Sequence, residues 1–99
     1  VSSSSTLSCL NATATTIYTM SSSSGLYVVF ANILNAADLA NYGAYALIAF
    51  DGSAGGSGLR LTGVNGTLMT ITQSGTAIKV TQSSGTTNTV EYAVFKISR

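Results

Sequence analysis

The sequence predicts an all-β domain, an antiparallel β-sandwich of jelly-roll type with about eight strands. Three observations predict it. Turn signals rich in Ser and Gly recur at short intervals, at 21–25, 51–58, 63–66, 73–75 and 82–88. The segments between them are rich in Val, Ile, Thr and Tyr, side chains that suit a pleated, half-buried surface. The chain also has no proline and little apolar spacing of helical period.

The elements follow in order. A first strand is expected at 6–11 and a second at 13–20, where Thr15, Ile17 and Thr19 alternate with Thr16, Tyr18 and Met20. The third, GLYVVFANIL at 25–34, is apolar on both faces: Leu26, Val28 and Phe30 oppose Tyr27, Val29, Ala31 and Ile33. NAADLANYG then breaks the strand pattern, either as a helical turn over 36–40 capped by Asn35 or as a polar loop. The fourth strand, GAYALIAF at 43–50, again has no polar face, with Tyr45, Leu47 and Ala49 on one side and Ala44, Ile48 and Phe50 on the other. A domain with a single core usually leaves one side of a strand in water, so this second face calls for another cover. The later strands alternate more cleanly. Leu59 and Leu61 flank Arg60, Met69 and Ile71 face inward, and Ile78 and Val80 do the same while Lys79 and Thr81 face water. Between the last two runs, Gly75 marks a hairpin that needs positive φ. The final strand, 89–97, sets Ala93, Phe95 and Ile97 against Val90, Tyr92, Val94 and Lys96.

Ninety-nine residues make one domain, 1–99. A chain of this length buries roughly 64% of its unfolded surface and keeps about 5,200 Å² exposed. Only 7% of the residues are charged, against roughly 25% in ordinary domains, so repulsion between copies is weak. A polar surface of Ser, Thr, Asn, Gln and Gly suits tight oligomers or neutral partners such as glycans. Four scattered cations and a net charge of +1 do not supply the clustered Lys and Arg of a nucleic-acid partner. No apolar run reaches the roughly 18–20 residues of a helical membrane span. VSSSSTLSCL lacks a Met and a basic segment and does not read as a signal peptide. A chain opening on Val reads as part of something longer or as a processed product.

The sequence offers no catalytic constellation. There is no His, which removes a Ser-His-Asp triad and a Cys-His pair. One Cys and three acids, Asp38, Asp51 and Glu91, give neither a zinc nor a calcium ligand set, and no cofactor is expected. Three acids on separate elements do not suggest the paired carboxylates of a glycosidase. Cys9 reads as a small buried hydrophobe and GSAGGSG as a hairpin loop, because no Lys or helix follows it. Asn11–Ala12–Thr13 and Asn65–Gly66–Thr67 match the glycosylation sequon, which has meaning only in a eukaryotic secretory setting. Five tyrosines remain. A Tyr ring can stack on a sugar, and Tyr42 stands at a loop–strand junction where a ligand can reach it. Tyr18, Tyr27, Tyr45 and Tyr92 lie within strands and suit a core or a subunit interface.

TIYTM, the Ser/Gly turn, GLYVVFANI, the Asn/Ala loop ending in Tyr, YALIAFDG, NGTLMTIT, IKVTQSSG and YAVFKI follow in that order over residues 12–97. This succession resembles the C-terminal domain of bacteriophage tail fibres and tailspikes. The resemblance implies a compact β-sandwich that forms homotrimers at the distal tip of a fibre. It implies a place on the virion, outside the host cell, and partners among other tail components and host-surface glycans or proteins. It implies attachment, trimer assembly or both, with no enzymatic activity, because a tailspike's depolymerase site usually lies in a preceding β-helix. On that reading the contact residues expected in exposed loops are Asn41, Tyr42, Asp51, Arg60 and Asn65. Tyr27, Tyr45 and Leu47 are expected at the trimer interface. The alternatives are a purely structural trimerisation or folding module, and a virion decoration or adaptor protein, neither with a ligand site.

Overall fold

The computed structural model describes residues 5–20, 24–53 and 58–97. Among the described residues, eight strands and one short helix follow the chain: β1 (Ser5–Cys9), β2 (Thr15–Thr19), β3 (Gly25–Ile33), α1 (Leu39–Tyr42), β4 (Gly43–Phe50), β5 (Leu59–Val64), β6 (Met69–Ser74), β7 (Ala77–Gln82) and β8 (Asn88–Ile97). They form two antiparallel sheets, a five-stranded one in the order β1-β8-β3-β4-β5 and a three-stranded one in the order β2-β7-β6. The expected all-β architecture and strand count hold. Parts of the turns at 21–25 and 51–58 lie outside the described residues.

The core lies between the sheets. β3 contributes Tyr27, Val29, Ala31 and Ile33, and β4 contributes Ala44, Ala46, Ile48 and Phe50. The smaller sheet answers with Ile17, Met69, Ile71, Ile78 and Val80, and Met20 closes the edge. Alternation places these residues on one face of each strand, as a period of two requires. The accessible surface of 5260 Å² matches the roughly 5,200 Å² of a compact chain of this size. The core is therefore of ordinary extent, and apolar residues left outside it are not the result of poor collapse.

Two local devices shape the chain. At the β6–β7 hairpin Ser74 pairs with Ala77, and Gly75 takes φ 58° at the first central position of the two-residue turn. The helix differs from expectation. Asn35 does not cap it but sits at φ 63°, a left-handed conformation that Asn tolerates. Asp38 is the cap instead: its side chain accepts from the Asn41 main-chain N–H at 3.3 Å, and the helix starts three residues later than expected, at Leu39.

A buried polar knot joins the chain's two halves. Gln82 is fully buried at the end of β7. Its amide nitrogen donates to the Cys9 carbonyl at 2.8 Å and to the Thr86 carbonyl at 2.9 Å, and its Oε1 accepts from the Ser84 N–H at 2.9 Å. Beside it, the Gly85 N–H donates to Asn11 Oδ1 and the Ala12 N–H to the Gln82 carbonyl, each at 2.8 Å. The β1–β2 corner is thereby tied to the β7–β8 loop.

Candidate functional site

β3 and β4 are apolar on both sides, so filling the core leaves a second apolar face outside. Strand register identifies it. Phe30 lies opposite Tyr45 and Val28 opposite Leu47. On the other side of β3, Phe30 meets Ala93 and Val28 meets Phe95. Across β4, Tyr45 meets Val64 and Leu47 meets Thr62. The next row holds Ile97, Leu26, Ala49 and Arg60, and the row toward α1 holds Glu91, Asn32 and Gly43. Exposure is high for the large members: Val64 54%, Tyr45 51%, Phe30 46% and Leu47 42%. The Phe30 and Phe95 rings meet edge to face with centroids 6.1 Å apart. At sheet spacings the four strands and their three mainly apolar outward rows span roughly 19 Å by 20 Å, on the order of 400 Å². An apolar patch of this size is at the level of the largest that a typical monomer exposes, and such patches are often functional.

The outer face of the smaller sheet is of the opposite kind. Thr70 pairs with Thr81 and Thr72 with Lys79, and Lys79 also pairs with Thr16. One outside of the sandwich is thus threonine and lysine, and the other is aliphatic and aromatic.

At the α1 end, the apolar face runs into a groove of about 410 Å³, lined by Phe30, Leu39, Tyr45, Val64 and Asn65 among others. Of the expected contact residues, Asn41, Tyr42 and Asn65 gather near this end. Each also holds the fold. The Asn41 side chain donates to Asp38 at 2.6 Å and its carbonyl accepts from the Leu68 N–H at 2.8 Å. Tyr42 packs against the core. Asn65 Oδ1 accepts from the Ile71 N–H at 3.1 Å, covering a backbone donor of the edge strand β6. Asp51 and Arg60 lie at the other end of the sheet, because Ala49 pairs with Arg60 while Gly43, roughly 20 Å back along β4, adjoins α1. The five residues therefore do not form one site.

The three residues expected at the subunit interface divide likewise. Tyr45 and Leu47 point outward on the apolar face. Tyr27 does not: it is fully buried between the sheets, its ring 5.8 Å from that of Tyr18, with Lys96 Nζ 5.8 Å from its centroid. The odd-numbered face of β3 turns inward, so Phe30, not Tyr27, lies on the outer face beside Tyr45. Phe30, Phe95 and Val64 were not singled out in the sequence. Their two-residue alternation with core positions is the signal, and it becomes decisive only once the register is known.

The ionisable groups add little chemistry. The Ser53 hydroxyl and N–H hydrogen bonds hold the Asp51 carboxyl below its ordinary value of 3.8. A depressed native pKa stabilises the fold above the unfolded value and is lost as pH falls through the acid range. Asp51 is fully exposed, so the effect is small. An Asp51→Asn variant is expected to show a shallower loss of stability between neutral and acid pH, as read by denaturant melts across that range. Burial raises the Cys9 thiol pKa, against a lowering hydrogen bond from Thr15, which leaves an unreactive thiol. Among the described residues, no three of His, Cys, Asp and Glu gather to hold a metal ion, and no helix is long and apolar enough to cross a membrane. Set against protein-family models, curated proteins and solved structures, the chain matches none.

Proposed function

We propose that this domain is the self-associating tip of a bacteriophage tail fibre or tailspike. In this reading it is a homotrimer whose subunits meet through the outer face of the five-stranded sheet and whose loops contact a host-surface glycan or protein. The contrast between the two outer faces carries the proposal. Water suits Thr16, Thr70, Thr72, Lys79 and Thr81, whereas Phe30, Tyr45, Leu47 and Phe95 gain from a cover. A footprint on the order of 400 Å² supplies about half of the roughly 800 Å² per partner of a standard interface, and flanking loops would supply the rest. The nested pairing of β1 with β8 and β2 with β7 is in keeping with a roll-type sandwich, although the strands divide five and three.

Attachment falls to the α1 end, where Asn41, Tyr42 and Asn65 offer neutral amides and a ring near the groove. Three copies of a weak site on one tip raise effective affinity. A glycan array probed with the labelled domain tests this part. Binding that Asn41→Ala and Tyr42→Phe both weaken, in variants that remain folded, is the expected result; no glycan bound, or binding indifferent to both changes, would remove the site. One observation favours the alternative of a structural trimerisation or adaptor module without a ligand. Asn41, Tyr42 and Asn65 already serve the fold through Asp38, the core and Ile71.

A further inference from the structure

The sequence holds six asparagines, and Asn65 alone is followed by glycine. That pair forms the loop between β5 and β6, where the chain leaves one sheet for the other. Gly66 is required there. A Cβ on it would lie 2.5 Å from the Gly43 carbonyl oxygen and 2.6 Å from that of Asn41. The residue after Asn65 therefore carries no side chain to shield its main-chain nitrogen. Asn65 itself is exposed, so water can enter and a leaving group can depart. Its Oδ1 accepts from the Ile71 N–H at 3.1 Å. A donor on that oxygen polarises the amide carbon and stabilises negative charge developing on the oxygen during attack.

We propose that Asn65 is a self-modification site, converted in the folded domain to aspartate and isoaspartate with water as the only co-reactant. The Gly66 main-chain nitrogen attacks Asn65 Cγ, forming a C–N bond. Its proton passes through solvent to the departing Nδ2, which leaves as ammonia, and a five-membered imide remains. Water then opens the imide. Attack at Cγ breaks its bond to the Gly66 nitrogen and gives aspartate. Attack at the main-chain carbonyl carbon breaks the other bond and gives isoaspartate, with one extra carbon in the main chain. Nothing is oxidised or reduced. Both products place a carboxylate beside Tyr45 and Val64 in the groove. The second also lengthens a loop in which Gly66 lies close to the Gly43 and Asn41 carbonyls.

The test is peptide mapping of the purified domain, incubated folded and, in parallel, in denaturant, from neutral to mildly alkaline pH. Cleavage after Arg60 and Lys79 gives a peptide, 61–79, in which Asn65 is the sole asparagine. Both acid products are expected in this peptide, forming in the folded domain at least as fast as in the denatured chain and faster at higher pH. Asn65→Gln should abolish them. A folded rate slower than the denatured one would overturn the proposal. So would products that persist in Asn65→Gln. Aspartate isomerisation at Asp51–Gly52 falls in a different peptide and releases no ammonia.

Discussion

Asp in place of Leu47 is expected to separate the subunits while leaving each sandwich folded. Leu47 sits at the centre of the outer apolar face, between Val28 and Thr62, and 42% of it is open in the single chain. Its strand neighbours Ala46 and Ile48 point the other way and form the core. In one chain the substitution therefore exposes a carboxylate to water and costs at most about 1 kcal/mol in strand preference. Beneath a second subunit it forfeits about 1.5–3 kcal/mol of apolar burial and strands a charge at a further cost of several kcal/mol. A trimer incurs this at each of its interfaces. Sedimentation velocity beside a denaturant melt separates the two effects. A lighter species with a melting midpoint near that of the isolated wild-type subunit is the expected result. An unchanged oligomer would place Leu47 outside the interface.

The largest effect on folding is expected at Gln82. Leucine there has nearly the right volume and none of the hydrogen bonds. It would leave the Cys9 carbonyl and the Ser84 N–H without their partner, and the exposed Thr86 carbonyl with only the Ser84 hydroxyl. Each orphaned buried group costs about 1–3 kcal/mol, and the loop groups recover part of this from water, so the net loss is about 3 kcal/mol. That is a large share of the roughly 5–15 kcal/mol that holds a domain folded. Glutamate should do no better, because a carboxylate can accept from Ser84 but cannot donate to two carbonyls. Urea unfolding of the variants measures this. A loss under about 1 kcal/mol would mean that water replaces the network.

The strands were legible because each writes its own alternation. GAYALIAF announced two apolar faces, and the core took Ala44, Ile48 and Phe50 while Tyr45 and Leu47 stayed outside. Gly75 announced its hairpin through a local backbone demand. What the sequence left open depended on distant partners. Alternation in β3 separates Tyr27 from Phe30 but does not say which face turns inward; packing against the smaller sheet decides that. Tyr27 was expected at the interface, yet the sandwich uses its bulk to fill the interior. The Gln82 knot joins residues 73 positions apart and has no local signature. Asn65 looked like a ligand contact in an exposed loop, and only the position of Ile71 revealed its bond to an edge strand.

The central claim is that the apolar outer face is a subunit interface. Multi-angle light scattering of the purified domain at micromolar concentration tests it most directly. The account predicts the mass of a trimer, and a stable monomer with this face open to water would contradict it.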